Sequence, residues 1–498
     1  MSQMRLSLLA SLAGKIIYAV SNFLAFPIYT KILGMESVGL IGFFVMLQMI
    51  FMALDGGMTS AFTRRLSSMK RFREHAPFRY LVLLSSSLAA HFVIFASIGI
   101  LFGGGVYLFA TEISEKWLIV QGLEFGLVVA CVEWMGILIF LGFVSLILQA
   151  YLVAREMLVV HSVLFSLYSI SRTLGIVLYI YVFEVTSAKL DLFFGAQFMV
   201  CLVYVFALVI VCARFSKGEF LLKPSFLSVF RDGRFSLGVF LVSISSIAVI
   251  QVDKLYLSKM IDLTGYGYYT LATSLASLPY IVSSAMYPVI YPRFSALVSS
   301  GEHSRILKIY TASSCVLVIT LQLASMFIWY HSSVLLEVFF AVEVVSHVTP
   351  LLPQLFLGTA IQSLLIVPFS LQLAHGWTWF SLKLNLALAP VMFASLIYLV
   401  DRYGLVGAAW VWFGYNVLSF LATNIYVLSR LKYIKSAARV MCLAVLSCLL
   451  AFFLFDLAYA QFSSMLSDVE SLLVLFTAAV LLMFSQFFIF RKSLAGFN

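Results

Sequence analysis

Ile28-Tyr29-Thr30-Lys31-Ile32-Leu33, running on to Gly39, aligns without a gap with Tyr256-Leu257-Ser258-Lys259-Met260-Ile261, running on to Gly267. The offset is 228 residues, and it places Lys31 on Lys259 and Gly39 on Gly267. At the same offset Arg65-Leu66-Ser67 falls on Arg293-Phe294-Ser295, beyond the second apolar helix of each copy. Both copies read as membrane hairpins. A chain of two related membrane halves is a common plan for transporters, because the halves can rock about a shared midplane site.

The composition agrees. The chain is 63% hydrophobic and 10% charged, against roughly a quarter charged in an average soluble domain. Runs apolar enough to cross about 30 Å of hydrocarbon lie near 5–30, 36–63, 80–110, 118–152, 159–183, 191–213, 236–258, 266–292, 309–330, 350–371, 379–400, 405–429, 440–459 and 471–490. The expectation is an all-α polytopic membrane protein of about 14 transmembrane helices. The run after Arg5 outlasts a signal-peptide core and has no small-residue cleavage site, so it reads as a retained first helix.

The net charge of +10 is a topology signal and not a nucleic-acid footprint. Lys and Arg cluster at 64–79, 214–234, 430–439 and 491–492, all on the side of the termini. The opposite loops carry mainly acids, among them Glu112, Glu184, Asp262, Glu337 and Asp401. This asymmetry places both termini in the cytoplasm, with anionic membrane lipids as the partner of the basic loops. The basic stretch 214–235, holding Gly218, Pro224 and Gly233, separates the two copies. It reads as a cytoplasmic linker between an N-lobe at 1–213 (helices 1–6) and a C-lobe at 236–430 (helices 7–12). A C-terminal helix pair at 431–498 lies outside the repeat.

Several function classes drop out. The six cysteines sit in or at the ends of apolar spans, at spacings that suit neither zinc nor a disulfide framework, and the histidines form no ligand pair. There is no nucleotide-binding G-x-x-x-x-G-K-[ST] loop. No metal or cofactor is expected. The outer loops are short, which leaves little room to hold an acceptor glycan and counts against an enzyme.

Ionisable groups inside spans cost roughly 2.5–3.5 kcal/mol each by insertion scales, so each marks a candidate site. Lys15, Asp55, Arg172, Asp253, Lys254 and Lys383 fall near mid-span, and Glu124 and Glu133 on the fourth span. Lys15, Arg172, Lys254 and Lys383 suit a phosphorylated substrate. Asp55, Asp253 and Glu124 suit charge balance or uptake of a coupling ion; the plain alternative is that the acids pair with nearby cations and hold helices together. Asp253 and Lys254 are adjacent and do not share a helix face, so each is expected to have a different partner. Pro279, Pro288 and Pro292 make the eighth span a place to bend. Trp117, Tyr266, Tyr268, Tyr269, Trp377 and Trp379 read as interface anchors; the alternative is a sugar-stacking platform, with Tyr268 and Tyr269 facing a glycan headgroup.

Four stretches resemble Wzx-type flippases, the polysaccharide-transporter branch of the multidrug/oligosaccharidyl-lipid/polysaccharide (MOP) exporter superfamily. They are Pro27-Ile28-Tyr29-Thr30-Lys31-Ile32-Leu33-Gly34 with Gly39; Leu54-Asp55-Gly56-Gly57 leading to Arg64-Arg65-Leu66-Ser67; Asp253-Lys254-Leu255-Tyr256-Leu257-Ser258-Lys259 running through Gly265-Tyr266-Gly267-Tyr268-Tyr269 to Pro288-Val289-Ile290-Tyr291-Pro292-Arg293-Phe294; and Tyr403-Gly404-Leu405-Val406-Gly407-Ala408-Ala409. Together they cover most of residues 1–430.

The resemblance implies a MATE-like two-lobe fold, with a central V-shaped cavity lined by helices one, two, seven and eight. It implies flipping of an undecaprenyl-pyrophosphate-linked oligosaccharide, such as an O-antigen unit of lipopolysaccharide, across the bacterial inner membrane by alternating access. Coupling to H+ or Na+ and contact with glycan polymerase machinery are implied as well. By position Lys15, Asp55, Asp253 and Lys254 would line the cavity, with Arg172 and Lys383 on second-row helices. Fourteen helices also occur in peptidoglycan-precursor flippases of the MurJ type. A multidrug exporter of the same fold would favour an acidic cavity, which the cations here oppose. A glycan polymerase or ligase would need larger outer loops.

Overall fold

The computed structural model describes residues 2–55, 57–68, 77–155, 157–182, 189–216, 224–226, 233–431, 452–453 and 456. Lipid offers backbone groups no hydrogen bonds, so spanning segments close their own bonds as helices. Among the described residues the only extended pairing is a lone bridge between Ile119 and Asp262. The chain resolves into two compact units, Met1–Thr270 and Leu271–Asn498.

In the first unit α1 (Ser2–Leu33) and α2 (Met35–Met52) form a hairpin, and a 3-10 turn at Ala53–Asp55 leads into α3 (Met58–Ser68). Then come α4 (Pro77–Leu108), the short α5 (Ala110–Lys116), α6 (Phe125–Ala154), α7 (Leu158–Ile170), a π-helical turn at Ser171–Gly175, α8 (Ile176–Val182), α9 (Lys189–Ser216) and α10 (Gly233–Met260). The helix α11 (Leu263–Leu275) runs past the end of the unit. Apolar on all sides, α6 lies at the centre with α4 and α9 packed along it.

The repeat has a direct structural counterpart. Helices α2 and α11 begin at Met35 and Leu263, positions separated by the same 228 residues. A methyl carbon added to Gly39 would lie 1.9 Å from the carbonyl oxygen of Leu263, and one added to Gly267 would lie 2.5 Å from that of Met35. Gly42 in turn faces Thr270. Met35 and Leu263, Gly39 and Gly267, Gly42 and Thr270 are three repeat-equivalent pairs, so each residue meets its own counterpart or that counterpart's neighbour. The two helices therefore cross about a local two-fold axis, and small residues there let the backbones approach.

In the second unit α12 (Pro279–Ser300), α13 (His303–Glu337), α14 (Val342–Val348), α15 (Leu352–Leu364), α16 (Ile366–His375) and α17 (Thr378–Arg430) follow α11. Ile290, Phe294, Tyr310, Leu317, Val367 and Val427 belong to its buried core. Two buried polar contacts fix the packing: the Tyr310 hydroxyl donates to Asn424 Oδ1 at 2.6 Å, and Trp412 Nε1 donates to Thr359 Oγ1 at 3.1 Å. Gly404, at φ 57° and ψ −138°, breaks α17 where the sequence places the boundary between two spans.

Among the described residues nine helical segments are long and apolar enough to cross a membrane. The longest of these, Trp379–Arg430, contains the break at Gly404, while α1 and the α11–α12 pair supply the remaining spans expected before residue 430. Among the described residues the fold is all-α, that of a multi-pass membrane protein. Three spans differ in detail. The second is interrupted by the 3-10 turn at Ala53–Asp55, the fourth starts at Phe125 and not near 118, and the eighth is two helices that part before Pro279, where proline fits the first turn. Apart from residues 452, 453 and 456, the C-terminal pair at 440–459 and 471–490 lies outside the described residues, as does most of the 214–235 linker.

Candidate functional site

Two charged clusters lie inside the apolar body of the first unit. The first is built on α10. Asp253 is 1% exposed, and the Tyr269 hydroxyl of α11 donates to its Oδ2 at 2.6 Å. Lys254 Nζ lies 3.3 Å from both carboxylate oxygens and also donates to the Ile250 carbonyl at 3.3 Å. This corrects the expectation that neighbours on a helix have separate partners. The backbone vectors do diverge, but four methylenes let the ammonium curl back over its own turn. The Lys254 side chain keeps 20% of its surface exposed. One turn away Gln251, also buried, donates its amide to Met49 Sδ on α2 at 3.1 Å.

The second cluster surrounds Arg172, which sits in the π-helical turn between α7 and α8. A π turn adds one residue per turn and re-aims the side chain it carries. The guanidinium is spread over three elements: Nε donates to Gln197 Oε1 of α9 at 3.1 Å, one terminal nitrogen to Gln48 Oε1 of α2 at 3.1 Å, and the other to the Tyr168 hydroxyl at 3.3 Å. It also lies 5.5 Å from the ring centre of Phe44 and 5.9 Å from that of Tyr168. Tyr29 of α1 donates to the Thr173 carbonyl at 3.4 Å and fixes the turn from the other side. Bonds to three elements at once fix the orientation of the guanidinium.

The other candidates are placed as follows. Lys15 falls on α1, and its side chain lies outside the described residues. Asp55 closes the 3-10 turn, where its Oδ1 accepts from the Gly57 N–H at 2.8 Å and its Oδ2 from the Thr59 hydroxyl. That is the geometry of a cap on α3. Asp55→Ala should lower stability by about 1 kcal/mol, read as a lower melting temperature of the purified chain, with Asp55→Asn milder because an acceptor oxygen remains. An unchanged melt for Asp55→Ala would remove the cap from the account.

Glu124 is not on the fourth span. It is the exposed residue immediately before α6, in extended conformation (ψ 132°). A carboxylate there favours the positive end of the helix dipole. Glu133 does lie on α6, half-buried. Lys383 is exposed on α17, in the second unit.

The tyrosines of α11 correct a further expectation. Tyr266, Tyr268 and Tyr269 are all buried and do not sit as interface anchors. The close Gly39–Gly267 contact draws α11 against α2 and takes them into the interior. Trp117 likewise donates to Ser258 Oγ at 3.0 Å. Beside it the Ile119 carbonyl accepts from the Leu263 N–H at 3.0 Å, and the Glu36 carboxylate accepts from Gln121 N–H at 2.7 Å and Gly122 N–H at 2.9 Å. Gln48, Gln197 and Tyr168 are site-forming residues that the sequence did not mark out, and Tyr269 was read for a different role. Tyr269 alone had a signal, its place in the tyrosine-rich run after Asp253.

No protein-family model matches the chain, and no curated protein matches it. Solved structures do. The lipid II flippase MurJ in an inward closed conformation aligns with a TM-score of 0.69 at 13% identity, covering 97% of this chain and 99% of that one. An inward-facing multidrug-resistance MATE transporter of the MOP superfamily aligns with a TM-score of 0.67 at 14% identity, covering 84% and 96%. A MOP transporter from Pyrococcus furiosus, described as having a binding pocket of reverse polarity, aligns with a TM-score of 0.59 at 15% identity, covering 87% and 96%. At these identities the likeness is one of fold. The fold is the one MOP-superfamily transporters share.

Proposed function

We propose that this protein is a flippase that carries an undecaprenyl-pyrophosphate-linked oligosaccharide, an O-antigen or similar surface-glycan unit, from the inner to the outer leaflet of the bacterial cytoplasmic membrane. The observation that carries this reading is Arg172, a partly buried guanidinium oriented by Gln48, Tyr168 and Gln197 on three elements. A fixed cation at such a depth is suited to a phosphorylated headgroup. The MurJ likeness, which runs nearly the full length of both chains, supports a lipid-linked cargo. The repeat supplies the two lobes, 1–213 and 236–430, joined by 214–235, and alternating access moves one against the other. Both termini lie in the cytoplasm.

Lys254 and Asp253 give the cycle a charge switch. In the resting state the ammonium rests on the carboxylate at 3.3 Å, a long contact open to competition. A pyrophosphate draws Lys254 away. Asp253 is then a buried carboxylate held by Tyr269 without its cation, and a coupling H+ restores the charge balance. Na+ in place of H+ serves the same balance. Lys15 and Lys383 are retained as further contacts to phosphate. Asp55 and Glu124 remain charge-balancing candidates of lesser weight, since both occupy helix-start positions.

Arg172→Ala, Lys254→Ala and the Lys15→Ala/Lys254→Ala double variant should each lose surface glycan at least tenfold while protein remains in the membrane. The measurement is surface glycan against membrane protein in a complemented deletion strain. Full glycan in the double variant and in Arg172→Ala would remove the pyrophosphate site.

A further inference from the structure

Burial removes Tyr268 and Tyr269 as a surface for sugar, since they are 5% and 0% exposed. The tyrosines of α12 stand differently. Tyr280, Ser284, Tyr287 and Tyr291 recur at helical spacing, which puts them on one flank of the helix. That flank is about 16 Å long at the helical rise per residue. Tyr280 is 37% exposed, and Ser284, Tyr287 and Tyr291 are half-buried. Ile290 and Phe294 beside them turn inward and fasten the helix to the core of the second unit. The rings of Tyr287 and Tyr291 lie 5.5 Å apart between centres and 5° from parallel. The Tyr280 hydroxyl donates to Gln362 Oε1 of α15, and the Ser284 hydroxyl to the Ile281 carbonyl at 3.0 Å. Every residue of this flank carries a hydroxyl. A face turned to lipid looks different in this chain: the exposed side of α9 at mid-helix is Met199, Leu202, Val203, Phe206, Val209 and Ile210. Polar groups inside a span turn to protein or to water. The exposed apolar residues of α12, Ala285, Val289 and Pro292, lie on another side of the helix. The helix thus has a lipid side and, apart from it, a wet flank of rings and hydroxyls.

We infer that the Tyr287–Tyr291 pair is a stacking surface for a pyranose ring of the cargo, with Tyr280 and Ser284 meeting the rim of that sugar. One face of a pyranose is a plane of C–H groups polarised by the neighbouring oxygens, and it suits the negative face of an aromatic ring. Its rim of hydroxyls needs hydrogen-bond partners. Tyr280 and Ser284 spend their protons on Gln362 and Ile281 but keep oxygen lone pairs that accept from such a rim. The inference rests on the proposed function, since the cargo must carry sugar. It deepens that reading by assigning the glycan to residues of the second unit, whereas Arg172 and Lys254, assigned to the pyrophosphate, belong to the first.

The test is binding of two probes to the purified full-length chain, counted by native mass spectrometry: undecaprenyl pyrophosphate, and the same lipid carrying one N-acetylglucosamine. The Tyr287→Ala/Tyr291→Ala variant should bind the sugar-bearing probe about tenfold more weakly and the bare lipid as the parent does. Tyr287→Phe/Tyr291→Phe keeps both rings and should bind both probes as the parent does. Equal loss of both probes in the alanine variant, or loss of neither, overturns the stacking surface and leaves the flippase reading standing. A parent that binds neither probe removes that reading and the stacking surface with it. A second measurement needs no cargo and no loss of a ring. Ser284→Cys should react with a water-soluble maleimide above the parent's background, and Val289→Cys should not. An unreactive Ser284→Cys overturns the wet flank and the sugar site with it.

Discussion

Gly39→Leu should leave little folded protein in the membrane, and Gly267→Leu should do the same. A side chain on Gly39 starts with a carbon 1.9 Å from the Leu263 carbonyl, and one on Gly267 starts 2.5 Å from the Met35 carbonyl. The obstacle in each case is backbone, which no rotamer change can clear. Overpacking in cores typically costs about 1–3 kcal/mol even where side chains can give way, and here the helices themselves must part. The comparison variant is Gly104→Leu on α4, where an added carbon meets nothing within 4 Å. It should fold as the parent does. Melting of the detergent-purified chain, with membrane yield, reads all three. The local two-fold axis adds a sharper condition: the Gly39 and Gly267 variants should fail together. If one melts as the parent does, the two repeat copies do not meet as described.

Asp253→Ala carries the second largest effect. It removes the acceptor of the buried Tyr269 hydroxyl and the carboxylate against which Lys254 rests. Breaking a buried ion pair from one side costs about 3–5 kcal/mol; the partly exposed lysine can turn to water, so the lower end of that range applies. Asp253→Asn keeps an acceptor for Tyr269 and should cost less, about 1–3 kcal/mol. Tyr269→Phe should fall near the same range, since it leaves the carboxylate only its lysine. In a double-mutant cycle the two milder changes should be non-additive, because one weakens and the other removes the same bond. Melting temperatures of the four proteins decide it. Additive losses would mean that Asp253 and Tyr269 are not coupled.

The seam between α2 and α11 was legible before any coordinates, because a gapless repeat forces equivalent residues into equivalent places. Gly39 and Gly267 were already aligned, and the structure adds that they touch. Asp55 was legible differently: Asp-Gly-Gly followed by Thr59 has the form of an Asx turn at a helix start, although its charge drew the functional reading first. Hydropathy misled at Glu124, since an apolar count carries no information on whether Leu118 to Leu123 is helical; bonds from that segment's backbone to Glu36 and Leu263 hold it out of the helix. The tyrosines of α11 were misplaced because their burial depends on how closely a neighbouring helix approaches. Face rules failed at Asp253 and Lys254 for another reason. They describe where a side chain leaves the helix and not where a long one ends. Gln48 and Gln197 gave no signal at all: a neutral amide in an apolar span is informative only once Arg172 is seen beside it.

The central claim is tested most directly by the leaflet distribution of lipid-linked oligosaccharide in a strain lacking this protein. Complete oligosaccharide accumulating on the cytoplasmic leaflet, with surface glycan missing and restored by the parent chain, is the result the account predicts. Single units that reach the outer leaflet without being joined would contradict it, and would place the protein's action after the crossing.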